Sequence, residues 1–156
     1  MRRKDRELTD AGTIESFIAK EQIIRIGFND NGEIYIVPVN YGYCRQNGSY
    51  VFYFHGAAEG RKYTLAAASP TVGFEIDGNY SLITGSKPCS YSAGYQSIIG
   101  TGRLSIVNSI EEKKHGLCCI MKQATGNAQN SFDEAILKST AVFRLDTEKL
   151  SCKAHR

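Results

Sequence analysis

Two Asn-Gly pairs, Asn31-Gly32 and Asn47-Gly48, do most to limit what this chain can fold into. Asparagine and glycine both accept the positive φ of a tight hairpin turn. Each pair lies between runs rich in β-branched and aromatic residues, at 22–29, 34–43 and 50–55. Such runs joined by such turns predict antiparallel hairpins, with no room for a crossover helix. Further strands are expected over 71–78, 80–84, 98–107 and 140–146. The piece 87–97 is polar and aromatic with no helical period. Helices are expected at 9–20 (Thr9 as N-cap, Ile14, Phe17 and Ile18 inward), at 63–68, and after two capping boxes. The boxes are Ser109-Ile-Glu-Glu112 and Ser131-Phe-Asp-Glu134. The first box leads into a stripe of Ile110, Leu117, Ile120, Met121 and Ala124; the second places Phe132, Ala135 and Ile136 inward. With no βαβ pattern, the class is mainly β: an antiparallel barrel with peripheral helices.

Three local features refine that class. In the 34–43 run, Ile34 and Ile36 fall on one face and Tyr35, Val37 and Val39 on the other. A strand apolar on both faces implies a barrel, or a sheet covered by a partner subunit. Pro38 lies inside it. Proline gives the ladder no donor, so the position is an edge or a bulge, and a bulge would free the backbone of Val39 and Asn40. Gly100 and Gly102, two apart, bare one face for a ligand or another chain, or mark a kink at a barrel corner. The polar end, 153–156, is expected to fray.

A length of 156 residues fits one domain over 1–156. The net charge of +3 gives no nucleic-acid surface, and the basic run Arg2-Arg3-Lys4 with Arg6 reads as a solvated terminus. No apolar stretch is long enough to predict a membrane span, and no apolar region follows the basic start, so no secretory signal is expected. The five cysteines are odd in number and form no C-x-x-C; Cys118 and Cys119 adjoin in a predicted helix. Reduced thiols in a cytoplasmic protein are the expectation, with Cys89 structural. His55, His115 and His155 show no metal-ligand spacing, so no metal is expected. Phosphate loops, nucleophile elbows and dinucleotide fingerprints are absent from the sequence.

Candidate chemistry gathers at 50–62. A strand ends at His55-Gly56, and Gly60-Arg61-Lys62 then delivers two cations to a predicted helix start. Outward amide N–H groups, a guanidinium fork and an ammonium suit an anion such as phosphate. The alternative is a surface turn with two solvated cations. His55 would sit beside whatever the anion anchors.

Four ordered blocks carry a resemblance: 1–7, 36–43, 53–62, and 95–103 preceded by Lys87-Pro-Cys89. With these the chain resembles flavin-binding split-barrel proteins related to pyridoxamine-phosphate oxidase, and within them the 5-nitroimidazole-resistance proteins. The resemblance implies a six-stranded antiparallel split β-barrel of the FMN-binding type. It implies a homodimer with the flavin, FMN or else FAD, in clefts between subunits. The ring would lie along Pro38-Val39-Asn40-Tyr41. The phosphate would meet Gly60, Arg61 and Lys62. His55 would lie near the ring, and Tyr95 and Ser97 would complete the pocket. The implied activity is a flavin-dependent oxidoreductase reducing nitro-aromatic or similar small molecules. The alternative is a non-catalytic flavin- or haem-binding or sensing barrel. His55 is the candidate proton donor, against a role holding the cofactor.

Overall fold

The computed structural model describes residues 3–68, 70–128 and 131–155. The elements, in chain order, are β1 (Glu7–Leu8), α1 (Ala11–Lys20), β2 (Ile23–Asp30), β3 (Glu33–Asn40), β4 (Gly42–Gln46), β5 (Ser49–Ala57), α2 (Arg61–Ala67), β6 (Thr71–Ile83), β7 (Ser92–Ile106), α3 (Ile110–Thr125), α4 (Glu134–Ser139) and β8 (Thr140–His155). The strands form one sheet in the order β3-β2-β6-β7-β8-β5-β4, with β1 added beside β8. All pairings among the described residues are antiparallel. This is the mainly β split-barrel class expected. The sheet has eight strands where six were expected, because the 34–43 run breaks in two at Tyr41 and Glu7–Leu8 pairs with β8.

Both Asn-Gly turns close hairpins as predicted. Asn31 and Gly32 take φ of 53° and 95°, and Asn47 and Gly48 take 50° and 82°. The pairs Asp30↔Glu33 and Gln46↔Ser49 close the two loops. The predicted strands at 71–78 and 80–84 are one strand, β6. Its register against β7 shifts between Gly78 and Ser81, where Asn79 has φ 56°.

The strand buried on both faces is β5. Tyr50, Phe52 and Phe54 enter the barrel core with Ile24, Ile26, Phe74 and Phe143. Val51 and Tyr53 face the other way, into a second cluster roofed by Leu117 and Ile120 of α3 and Leu137 of α4. Stacked Phe54 and Phe143 rings, 5.0 Å apart, tie β5 to β8 inside the barrel. Each fully buried aromatic of this kind stabilises the fold by roughly 1.5–3 kcal/mol.

Several expectations are corrected. In β3 only Tyr35, Val37 and Val39 pack on the core, whereas Ile34 and Ile36 are 69% and 60% exposed. The register runs unbroken through Arg25↔Pro38, so Pro38 occupies the sheet's edge strand without a bulge. The predicted frayed end is strand: Lys153 pairs with Ser97 and Glu7, and His155 with Tyr95; Arg156 lies outside the described residues. Gly100 and Gly102 admit neither a ligand nor another chain. A Cβ at Gly100 would meet Phe74 at 2.3 Å, and one at Gly102 the Asp146 carbonyl at 2.3 Å, beside a register shift of β7 against β8. That is the barrel corner. Asp10, not Thr9, caps α1, its carboxylate accepting from Thr13 N at 2.7 Å. Asp133 caps α4 in place of the predicted box. In α3 Ile110 and Ala124 are exposed and Gly116 is buried, while in α4 Ala135 and Ile136 are exposed and Leu137 is buried. Arg3 pairs with Asp5 and Arg6 donates to the Tyr95 hydroxyl, so this part of the basic run is engaged; Arg2 lies outside the described residues.

Helix α3 reaches the sheet through glycine. A Cβ at Gly42 would stand 2.1 Å from the Cys119 carbonyl carbon, backbone that no rotamer change can move. Gly42→Ala is therefore expected to destabilise the fold by about 1–3 kcal/mol through overpacking. Gly12→Ala, in a helix with ordinary contact distances at the new Cβ, is expected to be neutral to slightly stabilising. Urea midpoints of the two variants, with unchanged m-values, check the contrast.

Candidate functional site

The strand β5 ends at Ala57, and a three-residue step ending in Gly60 (φ 87°) opens α2 at Arg61. The helix begins two residues earlier than predicted; of its predicted stop, Ser69 lies outside the described residues. Positive φ at Gly60 is what lets the chain turn so sharply. The two cations that follow have unlike surroundings. Arg61 bonds Asp30 at 2.8 Å and Glu33 at 2.9 Å, and its guanidinium lies 4.6 Å from the centre of the Tyr35 ring. Lys62 is half-buried and points back under the barrel end. Its ammonium stands 5.2 Å from the Phe143 ring and 5.7 Å from the Phe54 ring. No carboxylate pairs with it among the described residues, and burial lowers its pKa.

Gly56 makes the room for that ammonium: a Cβ there would lie 2.8 Å from Lys62 Nζ. His55, one residue earlier, is exposed. Desolvation, and then the charge of Lys62, lower its imidazole pKa. At neutral pH it is an uncharged ring beside a fixed positive charge. The chemistry available at 55–62 is thus one ammonium, one neutral imidazole and a bare backbone step.

The remaining predicted residues lie on other parts of the sheet. Pro38 and Asn40 are exposed at the end of β3, and Asn40 donates to the Gln22 carbonyl at 3.1 Å. Val39 is half-buried against the core. Tyr41 is 1% exposed and donates its hydroxyl to the Ile18 carbonyl at 2.6 Å, which leaves only its backbone for a ligand. Tyr95 and Ser97 sit on β7, with β2 and β6 between them and β3. Ser97 Oγ is buried and has no hydrogen-bond partner among the described residues. A single chain therefore brings His55, Gly60, Arg61 and Lys62 together, while Pro38 and Asn40 lie on β3 and Tyr95 and Ser97 on β7.

A different cluster escaped sequence reasoning. Cys44 of β4 meets His115 and Cys119 of α3, with their ligand atoms within 4.8 Å of one another. These three line a cavity of about 610 Å³ between α1, β4 and α3, which none of the residues predicted to hold the flavin lines. Burial raises the Cys44 thiol and pushes Cys119 up to about 12. The one legible signal was the four-residue step from His115 to Cys119, which puts both on one helix face. Nearby, half-buried Arg144 ties β8 to α3 and β4. It bonds Asp146 at 2.7 Å, Glu112 at 2.6 Å and Gln46 at 2.8 Å.

The chain belongs to the pyridoxamine 5'-phosphate oxidase family, whose model matches residues 10–154. This is the wider family that the four sequence blocks resemble. Its fold is similar to that of a proposed 5-nitroimidazole antibiotic resistance protein from Bacteroides thetaiotaomicron, with a TM-score of 0.81 and 26% identity over 95% of this chain and 86% of the other. A flavocytochrome from Azotobacter vinelandii is also similar, with a TM-score of 0.81 and 16% identity over 100% of this chain and 72% of the other. So is an FAD- and haem-binding protein from Mycobacterium smegmatis, at 0.81 and 13% over 97% and 74%. No curated protein matches the chain. Among the described residues, no helix is long and apolar enough to cross a membrane.

The lowered pKa of His55 has two causes, and one is a single removable charge. Lys62→Met is expected to raise the His55 pKa toward its ordinary value without restoring it fully, since desolvation is the larger cause. An NMR titration of the imidazole resonances in both proteins measures the shift.

Proposed function

We propose that this chain binds a flavin, FMN or else FAD, between two copies of itself and uses it to reduce nitro-aromatic, 5-nitroimidazole-like or similar small substrates. The observation that carries the reading is the Lys62 ammonium. It is half-buried, has no acid partner among the described residues, and fills space that any side chain at 56 would take. A desolvated cation without a counter-ion favours an incoming anion. A flavin phosphate is that anion; family membership and the similar FAD- and haem-binding protein support the choice, and the 26%-identical relative supports a nitroimidazole-like substrate.

A bound flavin supplies hydride and electron transfer. The chain's own residues bind, orient and move protons. Lys62 meets the phosphate at the Gly60 turn. Arg61 contributes less, since Asp30 and Glu33 already occupy its guanidinium. As the sheet's edge strand, β3 leaves alternate backbone N–H and C=O groups near Val39 and Asn40 without a ladder partner, open to a ring's polar edge. Ser97 Oγ, buried and unpartnered, is the further hydrogen-bonding group. His55, neutral at pH 7, accepts a proton and passes it to a reacting substrate at its ring nitrogen.

The scatter of these residues over one chain supports a partner subunit. On the barrel's outer face, Ile36, Gly27, Gly73 and Thr101 form one cross-strand row. Ile34 and Ile99, 69% and 52% exposed, flank it. A Cβ at Gly73 would meet nothing within 4 Å, so this chain's own packing does not require glycine there. Bare backbone among exposed isoleucines suits the close approach of a second copy about a two-fold axis.

Two measurements test the reading. Mass spectrometry of ligand released from denatured protein is expected to find FMN or FAD. Lys62→Ala is expected to raise the flavin Kd about tenfold to hundredfold, the value of one charge-assisted hydrogen bond, and Arg61→Ala distinctly less. Equal affinity in wild type and Lys62→Ala would remove the phosphate role. A flavin-loaded protein that turns over no nitro-aromatic with NAD(P)H would leave the non-catalytic binding alternative. For assembly, Gly73→Arg is expected to convert a dimer to monomer in sedimentation velocity while its circular dichroism stays that of wild type.

A further inference from the structure

The cluster of Cys44, His115 and Cys119 owes its existence to the tight α3–β4 contact. Gly42 lets the α3 backbone come down onto β4, and Cys44 lies two residues further along the same strand, on the same face. His115 and Cys119 are one helical turn apart, so both side chains project toward that strand. Cys119 Sγ lies 3.7 Å from His115 Nε2. In a tetrahedral zinc site with Zn–S of about 2.3 Å and Zn–N of about 2.0–2.1 Å, a sulfur and a nitrogen ligand stand about 3.6 Å apart. All three ligand atoms lie within 4.8 Å, so side-chain rotation alone would complete the triangle. The His115 ring is already held edge-on against Tyr53, with centroids 5.6 Å apart at 86°.

We propose that Cys44, Cys119 and His115 form a zinc site, with two thiolates and one imidazole as protein ligands. Two soft sulfurs and an imidazole select Zn²⁺ over the hard, oxygen-seeking Mg²⁺ and Ca²⁺. Three protein ligands leave the fourth tetrahedral position open to the cavity of about 610 Å³, as in zinc sites that keep a water or take a small ligand. Glu15 and Lys122 line the same cavity and give it polar walls. A haem fits the cluster poorly, since its iron offers only axial positions and three donors converge here on one point. The inference stands independently of the flavin reading, because none of the residues proposed to meet the flavin lines this cavity.

The test is a titration of chelator-treated, reduced full-length protein with Zn²⁺ against a chromophoric chelator, and with Co²⁺ read by visible absorption. The expected result is one Zn²⁺ per chain, and for Co²⁺ the intense visible bands of a tetrahedral ion with sulfur charge transfer. The Cys44→Ser, Cys119→Ser double variant is expected to lose both signals. His115→Ala, at an exposed position, is expected to weaken Zn²⁺ binding by at least about tenfold. Cys89→Ser, at an exposed residue outside the cluster, is expected to bind as wild type does. Should the double variant fail to fold, His115→Ala and the wild-type Co²⁺ spectrum decide. Substoichiometric zinc, an octahedral Co²⁺ spectrum or unchanged affinity in His115→Ala would each overturn the proposal. So would a Cys44–Cys119 disulfide persisting under a cytosolic glutathione poise, or a haem Soret band in the purified protein.

Discussion

The fold depends on one covalent constraint: β3 and β4 stand at opposite ends of the sheet's hydrogen-bonded order, yet only Tyr41 separates them in the chain. A flat sheet of seven strands at about 4.8 Å spacing would hold those edges nearly 30 Å apart. One residue spans at most about 3.6 Å, so the sheet has to roll until its ends nearly meet. Tyr41 pins the seam: its ring packs edge-on against Phe52 at 5.6 Å and its hydroxyl bonds the Ile18 carbonyl of α1. The ends meet without pairing, so the barrel is split and β3 keeps an open edge. The strand proposed to meet a flavin ring is available for that reason.

Rolling the sheet creates an inside and an outside, and β5 is the strand that faces both. Its even-numbered aromatics fill the barrel while Val51 and Tyr53 anchor α3 and α4 on the outer wall. A Cβ at Gly116 would stand 2.8 Å from the Tyr53 ring, and one at Gly42 even closer to Cys119. Two glycines, one on the helix and one on the strand, thus set the depth at which α3 seats. That depth decides whether Cys119 can reach Cys44. The outer wall and the thiol–imidazole cluster are one packing problem solved once.

What was legible in the sequence was local. Asn31-Gly32 and Asn47-Gly48 carry their own φ requirement, so both hairpins could be read without neighbours. Gly60-Arg61-Lys62 after an aromatic strand marked a turn into a helix, and the structure has that turn. What failed depended on partners distant in the chain. The polar residues 153–155 look like a fraying tail, but their backbone pairs with β7, and Lys153 also with β1, whatever their side chains are. Apolar residues on both faces of 34–43 read as a barrel strand or a sheet under a partner subunit; within one chain Tyr35, Val37 and Val39 meet the core, and Ile34 and Ile36 stay exposed on the face that the proposed second copy would cover. Cys44 and Cys119 share no local pattern at all; only the seating of α3 on Gly42 makes them neighbours.

Adjacent residues of identical charge can also have opposite fates, as Arg61 and Lys62 show. Arg61 starts α2 on the outside, where Asp30 and Glu33 at the β2–β3 hairpin reach its planar fork, and two carboxylates satisfy it. Lys62, one residue on, is turned by the helix toward the barrel end, where the neighbours are Phe54, Phe143 and the bare α-carbon of Gly56. The aromatic faces offer the ammonium a partial, quadrupolar compensation, weaker than a counter-ion. Its residual cost is carried in the lowered pKa of Lys62 and passed on to His55, whose protonation would place a second charge nearby. An anion arriving at this point removes the cost for both groups at once: it restores the full charge of Lys62 and makes a protonated His55 easier to form. Anion binding and the proton affinity of His55 are therefore coupled through one side chain. On the proposed flavin reading, filling the phosphate position would set the site's acid–base character.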